Sequence, residues 1–364
     1  MERYINSFST ENDIQIALQN GELLKPYVAY IEDADRIDWN SKEKVDYTTE
    51  YLTFNITSTG NINVPTGTTY SINGAEWENT GTTITVNSGE TIRFKGNNST
   101  YNNNTFSGST ASFEVEGNIM SLIYGDNFKN NSTISSDYAF AGLFKQCANL
   151  VSAENLVLPS TTLTRYCYSS MFQECASLTK APKELPATTL EGYCYFNMFY
   201  RCTSLTTAPK ELPATTLASD CYYSMFDGCT SLTAAPELPA TTLKYACYQE
   251  MFQGCTSLTT TPILPATTLT YYCYYHMFEG CTSLTTVPEL PATTLATYCY
   301  GNMFQGCKKL NYIKCLATDI SAPYCTSEWV NGVAATGTFV KPSSMTEWTT
   351  GNSGIPNGWT VQDA

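Results

Sequence analysis

The chain has 364 residues, of which 42% are apolar, so it is long enough for two or three domains with folded cores. Its 33 acidic and 19 basic residues give a formal net charge of −14. That is the wrong sign for a surface that binds phosphates, so nucleic acid is not an expected partner. No apolar run approaches the roughly 18 residues that a membrane span needs, and membrane insertion is not expected either.

The N-terminal segment, residues 1–46, is predicted to contain one helix followed by a β-hairpin. Residues 10–13 have the pattern of a capping box at a helix start. Two short apolar runs, 27–31 and 37–39, flank an acidic turn. A calcium loop of the EF-hand type needs Asp or Asn at its fifth position, where this turn has Ile37, so an ordinary solvated turn is predicted. A piece of this size needs something to dock onto.

The first residues also bear on the compartment. The stretch MERYINSFSTENDIQ lacks the basic-then-apolar pattern of a secretory signal peptide, which predicts folding in a cytoplasm. The stretches LKPYVAYIE and RIDWN are similar to a short N-terminal segment found ahead of varied C-terminal modules in structural proteins of tailed phages from gut bacteria. This resemblance implies that residues 1–46 dock onto other virion proteins.

Residues 47–134 are predicted to form a β-sandwich. The stretches YLTFNIT, TTITV, ETIRFKG and ASFEVEG alternate apolar and polar residues, as strands do when one face is buried. Turn signals such as Asn73-Gly74 and Ser88-Gly89 separate these strands at short intervals. Short antiparallel strands at such spacing are typical of a sandwich.

Residues 135–340 form a repeat region. The first cysteine of each clear copy is Cys167, Cys194, Cys221, Cys247, Cys273 or Cys299, so the steps are 27, 27, 26, 26 and 26 residues. A fixed period in this range is typical of stacked units that each cover the apolar face of a neighbour. The two longer steps carry one extra residue in a turn, at Lys183 and at Lys210.

Each repeat is predicted to consist of a strand, a turn and a short helix. Leu163, Cys167, Met171 and Cys175 recur at steps of four, which places them on one face of a helix. Ser-Leu-Thr at 177–179 is compatible with a short strand, and the proline that follows it ends the strand.

The repeats resemble a known family. The order Met-Phe-x-x-Cys-x-Ser-Leu, then Pro-x-Leu-Pro, then Thr-Thr-Leu is similar to the BspA-like leucine-rich repeats, although the period is longer and Met replaces the usual Ala. The resemblance covers residues 138 to 340. It implies a curved solenoid of the leucine-rich-repeat type, often a surface or adhesion module, and not an enzyme.

The fifteen cysteines are predicted to be buried and reduced. Twelve of them occupy two repeat positions eight residues apart, which is not the C-x-x-C spacing of a zinc site. Ala139 and Val333 stand at cysteine positions in the end copies, so these positions serve packing, a role that suits free cysteine. The alternative is disulfides between neighbouring coils, because stacked coils would place equivalent cysteines near bonding distance.

No catalytic residue, metal site or cofactor is predicted. The chain has one histidine, His276, and its repeat position holds Ser, Asn or Glu in the other copies. Histidine-dependent triads and multi-histidine metal sites are therefore not expected. Nucleotide-binding glycine motifs are absent from the sequence.

The candidate binding surface consists of positions that vary among the copies. Positions kept in all six clear copies, such as Leu163, Cys167 and Met171, are explained by stacking, so the varying ones are predicted to face outward. A threonine-rich strand face beside aromatic side chains suits a glycan or a protein surface, and the alternative is an ordinary solvated flank without a ligand. The candidate residues are Lys180, Thr207, Thr260, Thr286, Phe196, Tyr223 and Tyr275.

Residues 341–364 are predicted to cap the open end of the array. The leading functional hypothesis is a non-enzymatic phage virion protein, a decoration or fibre that is assembled in the host cytoplasm and displays the repeats for adhesion to a host-surface protein or glycan. The alternative is a bacterial BspA-like adhesion or interaction protein on the cell surface. Homo-oligomerisation is compatible with either hypothesis.

Overall fold

The computed structural model describes residues 46–79, 82–102 and 105–364. Within these residues the chain is mainly β-structure with one short α-helix. The predicted N-terminal helix, hairpin and docking segment lie outside the described residues. Tyr47–Ala364 form one compact unit, and the boundary predicted between residues 134 and 135 falls inside it.

Alternating apolar residues build the strands that precede the repeats. In one of them Ile84 and Val86 are buried while Thr83 and Thr85 are exposed, as alternation predicts. The strands are β1 (Leu52–Ile56), β2 (Gly60–Asn63), β3 (Thr68–Ile72), β4 (Thr83–Val86), β5 (Thr91–Gly96) and β6 (Phe113–Asn118). A seventh strand, β7 (Leu150–Val157), completes a five-stranded sheet of order β3-β5-β1-β6-β7, and β2 pairs with β4 separately.

The first repeat is joined directly to this sheet. Strand β7 belongs to the first repeat and pairs in parallel with β6. The helix α1 (Ser121–Tyr124) and the 3-10 helix Gly125–Asn130 lie between β6 and the repeats. The Phe54 ring stacks on Phe113 at 4.5 Å and contacts Phe144 at 6.0 Å, so one core continues from the sheet into the repeats.

The predicted short helix in each repeat is wrong, because this segment is a run of consecutive tight turns. Ser170 and Glu174 have φ of 53° and 60°, and Met171 N–H bonds to Tyr168 O at 3.2 Å. Every second N–H instead bonds to the next repeat, as Phe172 N–H does to Met198 O at 2.8 Å. A turn of four residues presents the same i, i+4 face as a helix, so the apolar spacing could not separate the two.

Between β7 and the end of the array, the predicted short strand of each repeat is reduced to a single parallel bridge after the Ser-Leu-Thr position. We call the residues at this position the bridge ladder: Ser152, Lys180, Thr207, Ala234, Thr260, Thr286 and Tyr312. At its end the ladder becomes a sheet of β8 (Tyr312–Lys314), β9 (Thr338–Lys341) and β10 (Thr360–Asp363), in the order β10-β9-β8. All pairs in this sheet are parallel.

The interior of the array consists of columns of identical side chains. Phenylalanine rings stack from Phe144 to Phe304 with centroids 5.3–6.0 Å apart. We call a second set the core tyrosine column: Tyr168, Tyr195, Tyr222, Tyr248, Tyr274 and Tyr300, all at most 1% exposed. Trp329 ends both columns, and Trp348 stacks on it at 5.5 Å. Burial of these rings supplies the hydrophobic stabilisation that holds the repeats together.

Candidate functional site

The predicted ladder residues lie on the outside of the molecule. Lys180, Thr207, Thr260 and Thr286 are all exposed, and Lys180 and Thr207 are partners in one bridge. The preceding threonine is bonded to the backbone in several repeats, since Thr206 and Thr259 Oγ1 donate to the preceding repeat's carbonyl at 3.0 and 3.1 Å. Side chains on the bridge ladder are therefore the ones available to a partner.

Lys180 differs from the threonines because it already has a partner. Its Nζ lies 2.6 Å from Glu154 Oε2 across the repeat boundary. Both side chains are partly exposed, so the pair contributes little to stability, on the order of 0–1 kcal/mol. It does fix the position of two charges at the start of the ladder.

A cleft of about 760 Å³ opens beside Thr207. It is lined by Glu154, Ala181, Lys183, Glu184, Leu185, Pro186, Thr207, Ala208, Lys210, Glu211 and Pro213. Lys183 and Lys210 are the extra residues of the two 27-residue steps, so the cleft lies where the turns are longer than in later copies. Its volume is within the range of ligand-binding pockets in proteins, about 300–1,000 Å³.

The predicted aromatic residues are half-buried and already in contact with other side chains. Phe196 and Tyr223 lie together, with ring centroids 5.3 Å apart. Tyr275 contacts Tyr272 at 5.2 Å and Tyr298 at 5.7 Å, each ring at 87° to its own. The structure thus brings Phe196 and Tyr223 together, while Tyr275 belongs to a separate group of rings two repeats further along.

Polar side chains surround Tyr223. Its hydroxyl donates to Glu250 Oε1 at 3.1 Å, and Gln249 Nε2 donates to the same oxygen at 3.0 Å. Ser224 Oγ donates to Glu250 Oε2 at 3.0 Å. Burial, followed by the Glu250 charge, raises the pKa of Tyr223, so its hydroxyl stays protonated at neutral pH.

One neighbouring carboxyl titrates near neutral pH. Burial, together with the charges of Glu250 and Glu279, raises the pKa of Asp227 to about 7 against the opposing charge of Arg201. His276 Nδ1 contacts the carboxylate of Glu279, which also accepts from Gln253 Nε2 at 2.6 Å. The bond from Gln253 to Glu279 links adjacent repeats, whereas the contact of His276 with Glu279 lies within one repeat.

A column of tyrosines on the outside was not among the predicted residues. We call it the surface tyrosine column: Tyr138, Tyr166, Tyr193, Tyr272, Tyr298 and Tyr324. Tyr166 stacks on Tyr193 at 4.7 Å with the rings 6° apart, and Tyr272 stacks on Tyr298 at 4.8 Å and 8°. All six have positive φ, near 60°, at the start of the consecutive turns. The sequence does carry a signal, because a tyrosine directly precedes the first cysteine in most copies.

The surface tyrosine column is interrupted in the middle of the array. Asp220 and Ala246 occupy the column position in two consecutive repeats, with positive φ of 55° and 48°. Their backbone is unchanged, since Asp220 N–H bonds to Tyr245 O at 3.0 Å and Ala246 N–H to Tyr271 O at 3.1 Å. Only the rings are missing, so the interruption is a gap between Tyr193 and Tyr272.

The fifteen cysteines are buried free thiols. In the second cysteine position the thiol is also a donor, as Cys255 Sγ to Phe226 O at 3.1 Å and Cys281 Sγ to Phe252 O at 3.1 Å show. Burial raises the pKa of these thiols well above the usual range, which makes them poor nucleophiles. Packing and a hydrogen bond together therefore explain the second cysteine position.

Within residues 46–79, 82–102 and 105–364, no group of three or more His, Cys, Asp or Glu side chains is arranged to hold a metal ion. In the same part of the chain, no helix has the length and apolar character needed to cross a bilayer.

Comparisons with known proteins give one similarity. No family model matches the chain, and no curated protein matches it. Among solved structures, it is similar to a leucine-rich repeat protein from Bacteroides ovatus ATCC 8483, at 18% sequence identity and a TM-score of 0.32. The similarity spans 62% of this chain and 62% of the length of that protein.

Proposed function

We propose that the chain is a non-enzymatic binding protein whose repeats form a BspA-like leucine-rich-repeat solenoid. The observation that carries the proposal is the cleft of about 760 Å³ beside Thr207, on the exposed bridge ladder. The interior positions are occupied by buried, repeated side chains, so differences among repeats are displayed outward. A host-surface protein or glycan is the expected ligand class of this ladder.

The proposed architecture ahead of the repeats is a small β-sandwich. Ile62 of β2 and Ile84 of β4 are buried in the same apolar cluster as Phe54 of the five-stranded sheet. Two sheets that share one apolar layer are the defining feature of a sandwich. In this proposal the sandwich acts as a spacer between an attachment segment and the repeats.

The proposed setting is a phage virion, with residues 1–46 docking onto other virion proteins. It is supported by the resemblance of LKPYVAYIE and RIDWN to N-terminal segments of phage structural proteins. The alternative setting is a bacterial cell surface, as in BspA-like adhesion proteins. Mass spectrometry of purified virions, alongside envelopes of uninfected cells, distinguishes the two settings. Detection only on uninfected envelopes would overturn the virion setting and leave the binding proposal intact.

The binding proposal is tested with the full chain, fluorescently labelled, on immobilised envelopes of candidate host bacteria and on a glycan array. The variant Thr207→Arg places a long charged side chain at the cleft and is expected to reduce binding at least about tenfold by steric and charge conflict. Thr286→Arg changes the same ladder position where the extra turn residue is missing, so comparing the two variants separates the contribution of the cleft from that of the rest of the ladder. Unchanged binding by Thr207→Arg would exclude the cleft as the site.

A further inference from the structure

The gap in the surface tyrosine column is a notch with aromatic walls. Tyr193 and Tyr272 are three repeat steps apart, and the stacked rings on either side advance by 4.7–4.8 Å per step. The two rings are therefore separated by about 14 Å, the distance that three steps of a stacked β-type array span. Two ring positions are vacated, and the rings at both ends of the gap present a face that no column neighbour covers.

A third ring lies at the edge of the notch. Tyr245 is 50% exposed, and its ring contacts Tyr272 at 5.7 Å with an interplanar angle of 65°. Tyr245 is the residue before Ala246, so its side chain takes a different direction from the column. Rings in several orientations around one space are the arrangement that surrounds a cationic group in aromatic cages.

A carboxylate occupies the floor of the notch. Asp220 stands at the column position, is 5% exposed and lies beside the Tyr193 phenol, which hydrogen-bonds to it. No Lys, Arg or His side chain forms an ion pair with Asp220 in the described part of the chain, because all such pairs involve other residues. Burial accordingly raises the pKa of the Asp220 carboxyl. Asp220 thus has a hydrogen-bond donor in Tyr193 and no cationic partner among the described residues, and a carboxylate of this kind can accept further hydrogen bonds from a cation.

We propose that the notch formed by Tyr193, Asp220, Tyr245 and Tyr272 binds a cationic side chain of a partner protein, with an arginine guanidinium as the preferred group. A guanidinium is planar, stacks on aromatic faces and bonds a carboxylate through two N–H groups, so it uses the rings and Asp220 at once. The same column already contains one such contact, since the Arg165 guanidinium lies 5.8 Å from the Tyr166 ring centroid. The net charge of −14 also favours approach of a cationic partner.

One neighbouring charge opposes the partner. Lys244 is exposed, lies two residues before Ala246 and forms no ion pair within the described residues. Like charges repel, so the Lys244 ammonium is expected to weaken the binding of a cation at the notch, most strongly at low salt. Removal of the Lys244 charge is therefore expected to strengthen the binding of a cationic probe, while removal of the Asp220 charge is expected to weaken it.

The notch deepens the proposed binding function by naming a partner class, and it lies in a different column from the bridge ladder. A variant that loses envelope binding through Thr207 and keeps cation binding at the notch would separate the two proposals. If no cation binds at the notch, the proposed ligand binding at the bridge ladder is unaffected.

The test uses the full chain with carbon-13 in the tyrosine rings, titrated with N-acetyl-arginine amide and, in parallel, with the neutral isostere N-acetyl-citrulline amide. The arginine probe is expected to bind with a Kd on the order of 1 mM, as a single cation–π and carboxylate site allows, and to shift only a few ring resonances, those of Tyr193, Tyr245 and Tyr272. Citrulline is expected to bind at least about tenfold more weakly, since it lacks the charge.

Variants decide the assignment. Asp220→Asn and Tyr245→Ala are each expected to weaken arginine binding about tenfold, and Lys244→Gln to strengthen it about twofold. Asp227→Asn is the matched control, a carboxylate that already has Arg201 beside it, and is expected to leave the Kd unchanged. Tyr245 is 50% exposed, so Tyr245→Ala is expected to fold normally. It therefore tests the notch even if Asp220→Asn does not fold. Equal binding of arginine and citrulline, or an unchanged arginine Kd in both Asp220→Asn and Tyr245→Ala, would overturn the proposal.

Discussion

Two columns of tyrosines run along the repeats, and they differ in almost every respect except residue type. The core tyrosine column follows the first cysteine of each repeat, is at most 1% exposed, and has no exception in six copies. The surface tyrosine column precedes the same cysteine, has ring separations of 4.6–4.9 Å, and is broken at Asp220 and Ala246. One position is fixed by packing, and the other is free to vary.

The core column is kept even though tyrosine is not the ideal residue for it. The hydroxyls of Tyr168, Tyr222, Tyr248 and Tyr274 are buried and have no hydrogen-bond partner in the described part of the chain. Each unsatisfied hydroxyl destabilises the fold by about 1–3 kcal/mol. The rings outweigh this loss because each is stacked between two others at 5.6–6.1 Å and removed from water. Positions that hold the same residue in every repeat are therefore fixed by packing, whereas packing does not determine the residue at positions that vary.

The largest expected difference between the columns is in stability. Tyr248→Ala removes a fully buried ring and leaves a cavity between Tyr222 and Tyr274, so it should lower the free energy of unfolding by about 3–5 kcal/mol. Tyr298→Ala, on the surface column, should lower it by less than about 1 kcal/mol. Urea denaturation followed by circular dichroism measures both.

Tyr248→Phe is the control for this pair. It keeps the stacked ring and removes only the unpaired hydroxyl, so it should raise the free energy of unfolding by about 1 kcal/mol. A loss of stability in Tyr248→Phe would mean that the hydroxyl is bonded, and the contrast drawn between the two columns would then be incorrect.

The cysteine columns provide a smaller contrast of the same kind. Cys255 Sγ donates to Phe226 O, and the equivalent thiols do so in the other copies, whereas Cys247 of the first position serves as a small apolar group. Cys255→Ala should lower the free energy of unfolding by about 2 kcal/mol, from a lost donor and a small void. Cys247→Ala, the matched substitution in the first column, should lose about half as much. Equal losses would show that the thiol hydrogen bond contributes nothing.

The inward-facing residues could be predicted from the sequence, but the backbone that carries them could not. Leu163, Cys167, Met171 and Cys175 are all buried, as their spacing of four predicts. That spacing fits both a helix and a series of four-residue turns. Only the hydrogen-bond acceptors of the backbone N–H groups distinguish the two structures. Phe172 N–H bonds to the next repeat, a contact between residues 26 positions apart that no local pattern contains.

The candidate binding surface could likewise be predicted only in part from the sequence. The exposure of Thr207 and Thr286 follows from their variation among copies, and the extra Lys183 and Lys210 are visible as a change in period. The cleft between those turns depends on the path of the chain and could not be predicted from the residues themselves. The notch was visible as an aspartate and an alanine where other copies have tyrosine, but its meaning required knowing that this position forms a stacked column.

The smallest expected effect concerns a single carboxyl on the variable side of this contrast. Asp227 has a folded-state pKa of about 7, raised by burial and by Glu250 and Glu279 against the opposing charge of Arg201. In the unfolded chain an aspartate titrates near about 3.9. The folded state therefore binds a proton more tightly, so stability should rise as pH falls from about 7 to about 4, and should be lost as pH rises through 7.

Because Asp227 is only partly buried, solvent screening should limit this effect to about 1 kcal/mol between pH 8 and pH 5. Asp227→Asn removes the ionisation, so it should be more stable than the parent at pH 8 and should lose that part of the pH dependence. Asp319→Asn is the control, because hydrogen bonds from Ser321 lower the pKa of Asp319 and its contribution changes only at more acidic pH. Thermal unfolding at pH 5, 6, 7 and 8 measures all three proteins. If stability depended on pH in the same way in the parent and in Asp227→Asn, the Asp227 carboxyl would be solvated and ionised throughout this pH range. The charge of the acidic turns would then not destabilise the stacked core.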